Sequence, residues 1–174
     1  MARLFFALCP NEAERLRIAA ALPEDLSAGR LIPPANFHVT LAFLGELGAQ
    51  QADAAQTVVD GVASDAFRLR LTELQYWERS RTLVLVPDAV PEAATALQGH
   101  LARGLREEGL PFDARAWRPH LTVARRASPG GSPLTHAVTI HCREFVLMES
   151  QTLPEGAVYK VRVRRSLPSP ADDG

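Results

Sequence analysis

His38 and Thr40 stand two residues apart in Phe-His-Val-Thr-Leu (37–41), and His120 and Thr122 repeat that spacing in Pro-His-Leu-Thr-Val (119–123). Residues two apart on a β-strand face the same side. Each segment is therefore predicted to project one imidazole and one hydroxyl from one face, with Val39, Leu41, Leu121 and Val123 buried on the other. A single strand histidine is ordinarily structural, so either copy alone carries little weight. The repeat changes this: with only five histidines in 174 residues, chance produces such a pair roughly once in a thousand sequences of this kind.

Two imidazoles and two hydroxyls converging on one cleft suit in-line displacement at phosphorus. A neutral imidazole takes a proton from attacking water while an imidazolium protonates the departing oxygen on the opposite side. Unperturbed imidazole titrates near pH ~6.5, which puts both forms within reach at neutrality. Thr40 and Thr122 would hold the non-bridging oxygens and stabilise the charge that builds there. His100, His136 and His141 have no second histidine or carboxylate at tight ligand spacing, and there is no H-E-x-x-H or cysteine cluster, so no metal is expected. Trp77, Phe37 and Trp117 are candidates to stack on a nucleobase, with core packing the expected role of Phe37.

These residues need a scaffold, and the chain is long enough to build one compact core. It is 47% hydrophobic and 22% charged, as in an ordinary globular protein. A net charge of −1 excludes a basic body that coats nucleic acid non-specifically, so any polyanion contact must be local. Lys160 is the one lysine beside 18 arginines. Cys9 and Cys142 are the only cysteines, which excludes a disulfide framework and points to a reducing, cytoplasmic setting. The apolar run Leu4 to Leu8 is too short for a secretory or membrane segment and reads as a buried strand.

Strands and helices alternate along the chain. Asn11 and Glu14 form a capping-box pattern that opens a helix to about Leu22, with an expected apolar stripe of Leu16, Ala19, Ala20 and Leu22. Ala52, Ala55, Val58, Val59 and Val62 predict a second helix. Ala94, Leu97, Leu101 and Leu105, framed by Pro91 and Gly109, predict a third. Phe67, Leu69 and Leu71 alternate with polar residues, and Thr82–Val86 supplies a hairpin partner. Further strands are expected at 117–125, 138–142, 145–148 and 159–163. The two histidine motifs lie about half a chain length apart in similar contexts, which predicts two related lobes. One domain is expected over 1–166, with a frayed tail at 167–174.

With these motifs the sequence resembles the two-histidine phosphoesterases, and within them the RNA 2′,3′-cyclic phosphodiesterases once called 2′-5′ RNA ligases. The resemblance rests on Arg-Leu-Phe-Phe-Ala-Leu at 3–8, FHVTLAFLGE at 37–46, RPHLTVARR at 118–126, and FVLMESQ at 145–151 followed by Tyr159-Lys160. It implies a bilobal α+β fold, with two pseudo-symmetric lobes of antiparallel sheet around a central groove and helices outside. It also implies hydrolysis of RNA or nucleotide 2′,3′-cyclic phosphate ends to a 2′-phosphomonoester without metal or cofactor, and a monomer is expected. By this resemblance His38 is the proton donor and His120 the acceptor, Thr40 and Thr122 hold phosphate, Arg125 falls where many members have an arginine, and Arg118 directly precedes the second motif. The alternatives are 2′-5′ RNA ligation or hydrolysis of a small cyclic nucleotide at the same site, and a non-catalytic RNA-end binder, which the intact histidines disfavour.

Overall fold

Strand-period alternation fixes which face of each strand is buried, and strands make up most of the scaffold. A computed structural model of the chain describes residues 1–26 and 29–170. The strands are β1 (Ala2–Leu8), β2 (Arg30–Leu31), β3 (Val39–Leu47), β4 (Phe67–Trp77), β5 (Thr82–Pro87), β6 (Leu121–Arg125), β7 (Val138–Cys142), β8 (Glu144–Leu153) and β9 (Gly156–Ser166). The helices are α1 (Glu12–Ala21), α2 (Ala49–Val58) and α3 (Glu92–Glu107). This is the expected α+β class.

The strands run in the order β7-β4-β5-β6-β3-β1-β8-β9, all antiparallel, with β2 also paired to β6. Two four-stranded halves are thus arranged about β6 and β3, the strands just after the two histidines. The halves are predicted as separate sheets but form one, because β3 and β6 meet through the pair Val39–Leu121. A β-α-β order recurs in β1-α1-β3 and β5-α3-β6, the internal repeat read from the motifs. One large apolar cluster, with Phe6, Phe37, Phe145 and Leu97 at 2% exposure or less, backs both halves. Truncating a ring such as Phe6 there costs about 3–5 kcal/mol.

The helices differ from expectation in detail. The α1 capping box is present, with the Asn11 side chain accepting from the Glu14 amide (2.8 Å) and the Glu14 carboxylate accepting from the Asn11 amide (3.0 Å). Its buried face, however, is Glu14, Ile18 and Ala21, while Leu16 is 64% exposed. The cause is tertiary: the buried Glu14 carboxylate also accepts from the His141 amide (2.7 Å) and His141 Nδ1 (3.2 Å), which turns the helix towards β7. The strand of the second motif is shorter than predicted, since 117–120 precede β6. The β8–β9 hairpin is longer, closing through Pro154-Glu155-Gly156. Leu167 is buried and donates its amide to Arg143 O (2.7 Å), and Pro168 O accepts from the Ala66 amide (2.7 Å). The start of the expected tail therefore belongs to the fold, and its residues 171–174 lie outside the described ones. Among the described residues no helix is long and apolar enough to cross a membrane.

Candidate active site

His38 and His120 each sit one residue before a strand, β3 and β6, rather than within it. The strand residues themselves obey the predicted alternation: Val39, Leu41, Leu121 and Val123 are buried in the core, and Thr40 and Thr122 are half-buried on the other face. The antiparallel pair Val39–Leu121 sets His38 across from Thr122 and Thr40 across from His120. Each histidine is thus the cross-strand neighbour of the other motif's threonine. Among the described residues no hydrogen bond engages either hydroxyl.

The imidazoles are anchored alike. His38 Nδ1 lies 2.8 Å from Asn36 O, and His120 Nδ1 lies 2.7 Å from Arg118 O. A carbonyl oxygen only accepts, so Nδ1 carries the proton in both rings and Nε2 is left for chemistry. Asn36 is itself fixed at the end of a 3-10 turn (Pro34–Asn36), with its side-chain Nδ2 donating to Ala157 O of β9 (3.0 Å).

Aromatic rings frame each imidazole. Phe5 and Tyr159 have centroids 5.0 and 5.2 Å from that of His38. Trp77 lies 4.4 Å from His120, and the Arg118 guanidinium lies 4.6 Å from the centroid of the Trp77 ring. Trp77 is thus packed at the site, while Trp117 donates Nε1 to Thr40 O (2.9 Å) and Phe37 is core. Sequence pattern does not single out Phe5 and Tyr159 as site residues, although Arg3, Phe5 and Ala7 share one face of β1 by simple alternation.

Both histidines titrate below the ordinary imidazole value. Burial is the main cause for each; the Nδ1 bond to Asn36 or Arg118 opposes it, and nearby positive charge adds to it. The Arg125 charge acts on both rings, Arg118 on His120, and His120 on His38. Arg125 reaches this face because the β5–β6 register slips between Leu83 and Val84, leaving Val123 and Ala124 both buried and resetting the alternation.

A cavity of about 320 Å³ opens beside His38 and Thr40, with Arg125, Phe5 and Tyr159 in its wall. His120, Thr122, Trp77 and Arg118 are not among its lining residues, so the paired motifs stand beside an asymmetric pocket. Among the described residues no group of three or more His, Cys, Asp or Glu side chains is placed to hold a metal ion.

A sequence model described as the 2′-5′ RNA ligase superfamily matches residues 8–145. The RNA 2′,3′-cyclic phosphodiesterase of Escherichia coli (strain K12) is 33% identical over 158 residues, covering 85% of this chain and 86% of that relative. The protein of the same name from Thermus thermophilus is 30% identical, covering 95% and 90%. Among solved structures, E. coli LigT in apo form superposes with a TM-score of 0.85 at 29% identity, over 97% of this chain and 98% of that one.

Proposed function

The chain belongs to the 2′-5′ RNA ligase superfamily, and from that membership we propose that it is an RNA 2′,3′-cyclic phosphodiesterase, hydrolysing the cyclic end to a 2′-phosphomonoester. The observation that carries the reading to these residues is the matched anchoring of two imidazoles, each with Nδ1 on a backbone carbonyl, within reach of one shared arginine charge.

In this reading His120 Nε2 takes the proton of a water whose oxygen attacks phosphorus. The bond from phosphorus to the 3′-oxygen breaks, and His38 Nε2 protonates that oxygen as it leaves. Thr40 and Thr122 donate to the non-bridging oxygens, and Arg125 faces the charge that accumulates there. Arg118, stacked on Trp77, adds positive charge on the His120 side. A positively charged neighbourhood keeps His120 neutral as a base, and a bound phosphate anion restores the proton that burial removes from His38. No metal or cofactor takes part, and one chain supplies both motifs, so a monomer suffices. The free thiols of Cys9 and Cys142, the former pushed up to about 11 by burial, fit the reducing cytoplasm.

The test is purified protein with a short RNA bearing a 2′,3′-cyclic phosphate, in excess chelator, with the product identified. A 2′-phosphomonoester formed at an undiminished rate is expected. A 3′-phosphomonoester, a joined 2′-5′ product in place of hydrolysis, or activity that only added divalent metal restores would each overturn part of the reading.

A further inference from the structure

The cavity beside His38 holds more positive charge than one cyclic phosphate requires. Arg3, Arg30 and Arg125 all line it, and Glu155 is the only carboxylate that does. Among the described residues none of the three arginines is within ion-pair distance of a carboxylate. Arg30 and Arg125 are direct cross-strand partners in the β2–β6 pair, an arrangement in which like charges repel.

Each of the two outer arginines is nevertheless held in place by groups that leave its charge intact. The Arg30 guanidinium donates to the backbone carbonyl of Glu155 (3.2 Å). It passes against Gly156, whose φ of +132° favours glycine and where any Cβ would run into that guanidinium. The Arg3 guanidinium lies 5.1 Å from the centroid of the Phe43 ring. Three arginines against the one carboxylate of Glu155 leave the lining with surplus positive charge. Although Arg3 stands across from Glu46 in the β1–β3 pair, it makes no ion pair with it, so the cavity suits an anion from outside.

A 2′,3′-cyclic diester carries a single negative charge, which Arg125 beside both histidines suffices to face. If His38 serves the leaving 3′-oxygen, the ribose bearing that oxygen lies on the His38 side, in this cavity. The next anion along the substrate is the phosphate on the 5′-oxygen of the same ribose. We propose that Arg3 and Arg30 form a subsite for this 5′-phosphate, so that the enzyme selects 5′-phosphorylated or chain-linked ends over nucleoside 2′,3′-cyclic phosphates. The proposal rests on the functional reading above and adds the substrate class to it.

The experiment compares kcat/KM for adenosine 2′,3′-cyclic phosphate with that for the same nucleotide carrying a 5′-phosphate. The expected preference is at least about 10-fold for the 5′-phosphorylated substrate, the scale of a hydrogen bond to a charged group, and it shrinks as salt rises. Arg3→Gln and Arg30→Gln are each expected to bring the ratio towards one, and Arg30→Lys to keep part of it. The Arg3 variant does not touch the Arg30–Glu155 bond, so it reads the charge without disturbing the hairpin. Equal kcat/KM for the two substrates removes the subsite while leaving the function standing, as does a ratio unchanged in both glutamine variants. Turnover of neither substrate defeats the function and the subsite together.

Discussion

Trp117 Nε1 donates a 2.9 Å hydrogen bond to the main-chain oxygen of Thr40, so the segment entering the second histidine motif is tied to the backbone of the first. Removing that donor leaves a partly buried carbonyl without this partner. Trp117→Phe is expected to lower stability by about 1–3 kcal/mol and to lower kcat more than it raises KM, because the slack falls between acid and base. Denaturant unfolding with parallel kinetics checks both; intact kcat in a destabilised variant would make the bond purely structural.

Thr40 and Thr122 stand cross-strand from the histidine of the other motif, and their hydroxyls have no protein hydrogen-bond partner among the described residues. Thr40→Val and Thr122→Val preserve strand shape and remove a donor each, and turnover should fall by about 10-fold to 1,000-fold in either. Wild-type kinetics in both variants would return the threonines to a packing role.

His38→Ala and His120→Ala should each slow the reaction by at least about 100-fold while substrate binding largely survives. A substrate whose leaving 3′-oxygen is made a better leaving group needs less protonation. It should therefore rescue His38→Ala in part and leave His120→Ala slow. The reverse pattern would exchange the two roles.

The direction of the histidine shifts sets the pH profile. Activity needs one imidazole charged and one neutral, so kcat/KM is bell-shaped with two limbs that belong to the coupled pair. Burial and the neighbouring arginines push both groups below their ordinary value, which displaces both limbs and puts the optimum of kcat/KM on the acid side of about 6.5. Bound phosphate favours the protonated form, so the profile of kcat is expected at higher pH than that of kcat/KM. A kcat/KM optimum well above neutrality would contradict the shifts.

Local pattern carries the histidines, the threonines, the α1 capping box and the face of β3, because each depends on residues two to four apart. It does not reveal Arg3 and Arg30 as neighbours of His38. β2 has only two residues and so no period, and the cavity is closed by a hairpin from the far end of the chain. The side taken by Arg125 depends on a register slip against β5 that no single-strand pattern contains. Glu14 reads in the sequence only as the second member of a capping box, and its bonds to His141, 127 residues away, are what make it a buried anchor.

The half of the sheet that carries His38 takes β1 and β3 from the start of the chain and β8 and β9 from its end, whereas the strands β4, β5, β6 and β7 of the other half all fall between residues 67 and 142. During synthesis from the N-terminus, the His120 half has its strands complete while β1, paired to β3 on one side, still lacks β8 on the other. The apolar edge of β1 must wait through most of translation, and closing it forms a loop of nearly the whole chain. The pocket beside His38, walled by Tyr159 and the β8–β9 turn, comes into being only with that last hairpin, so a nascent chain has all the strands around its second motif before it has anywhere to put a substrate.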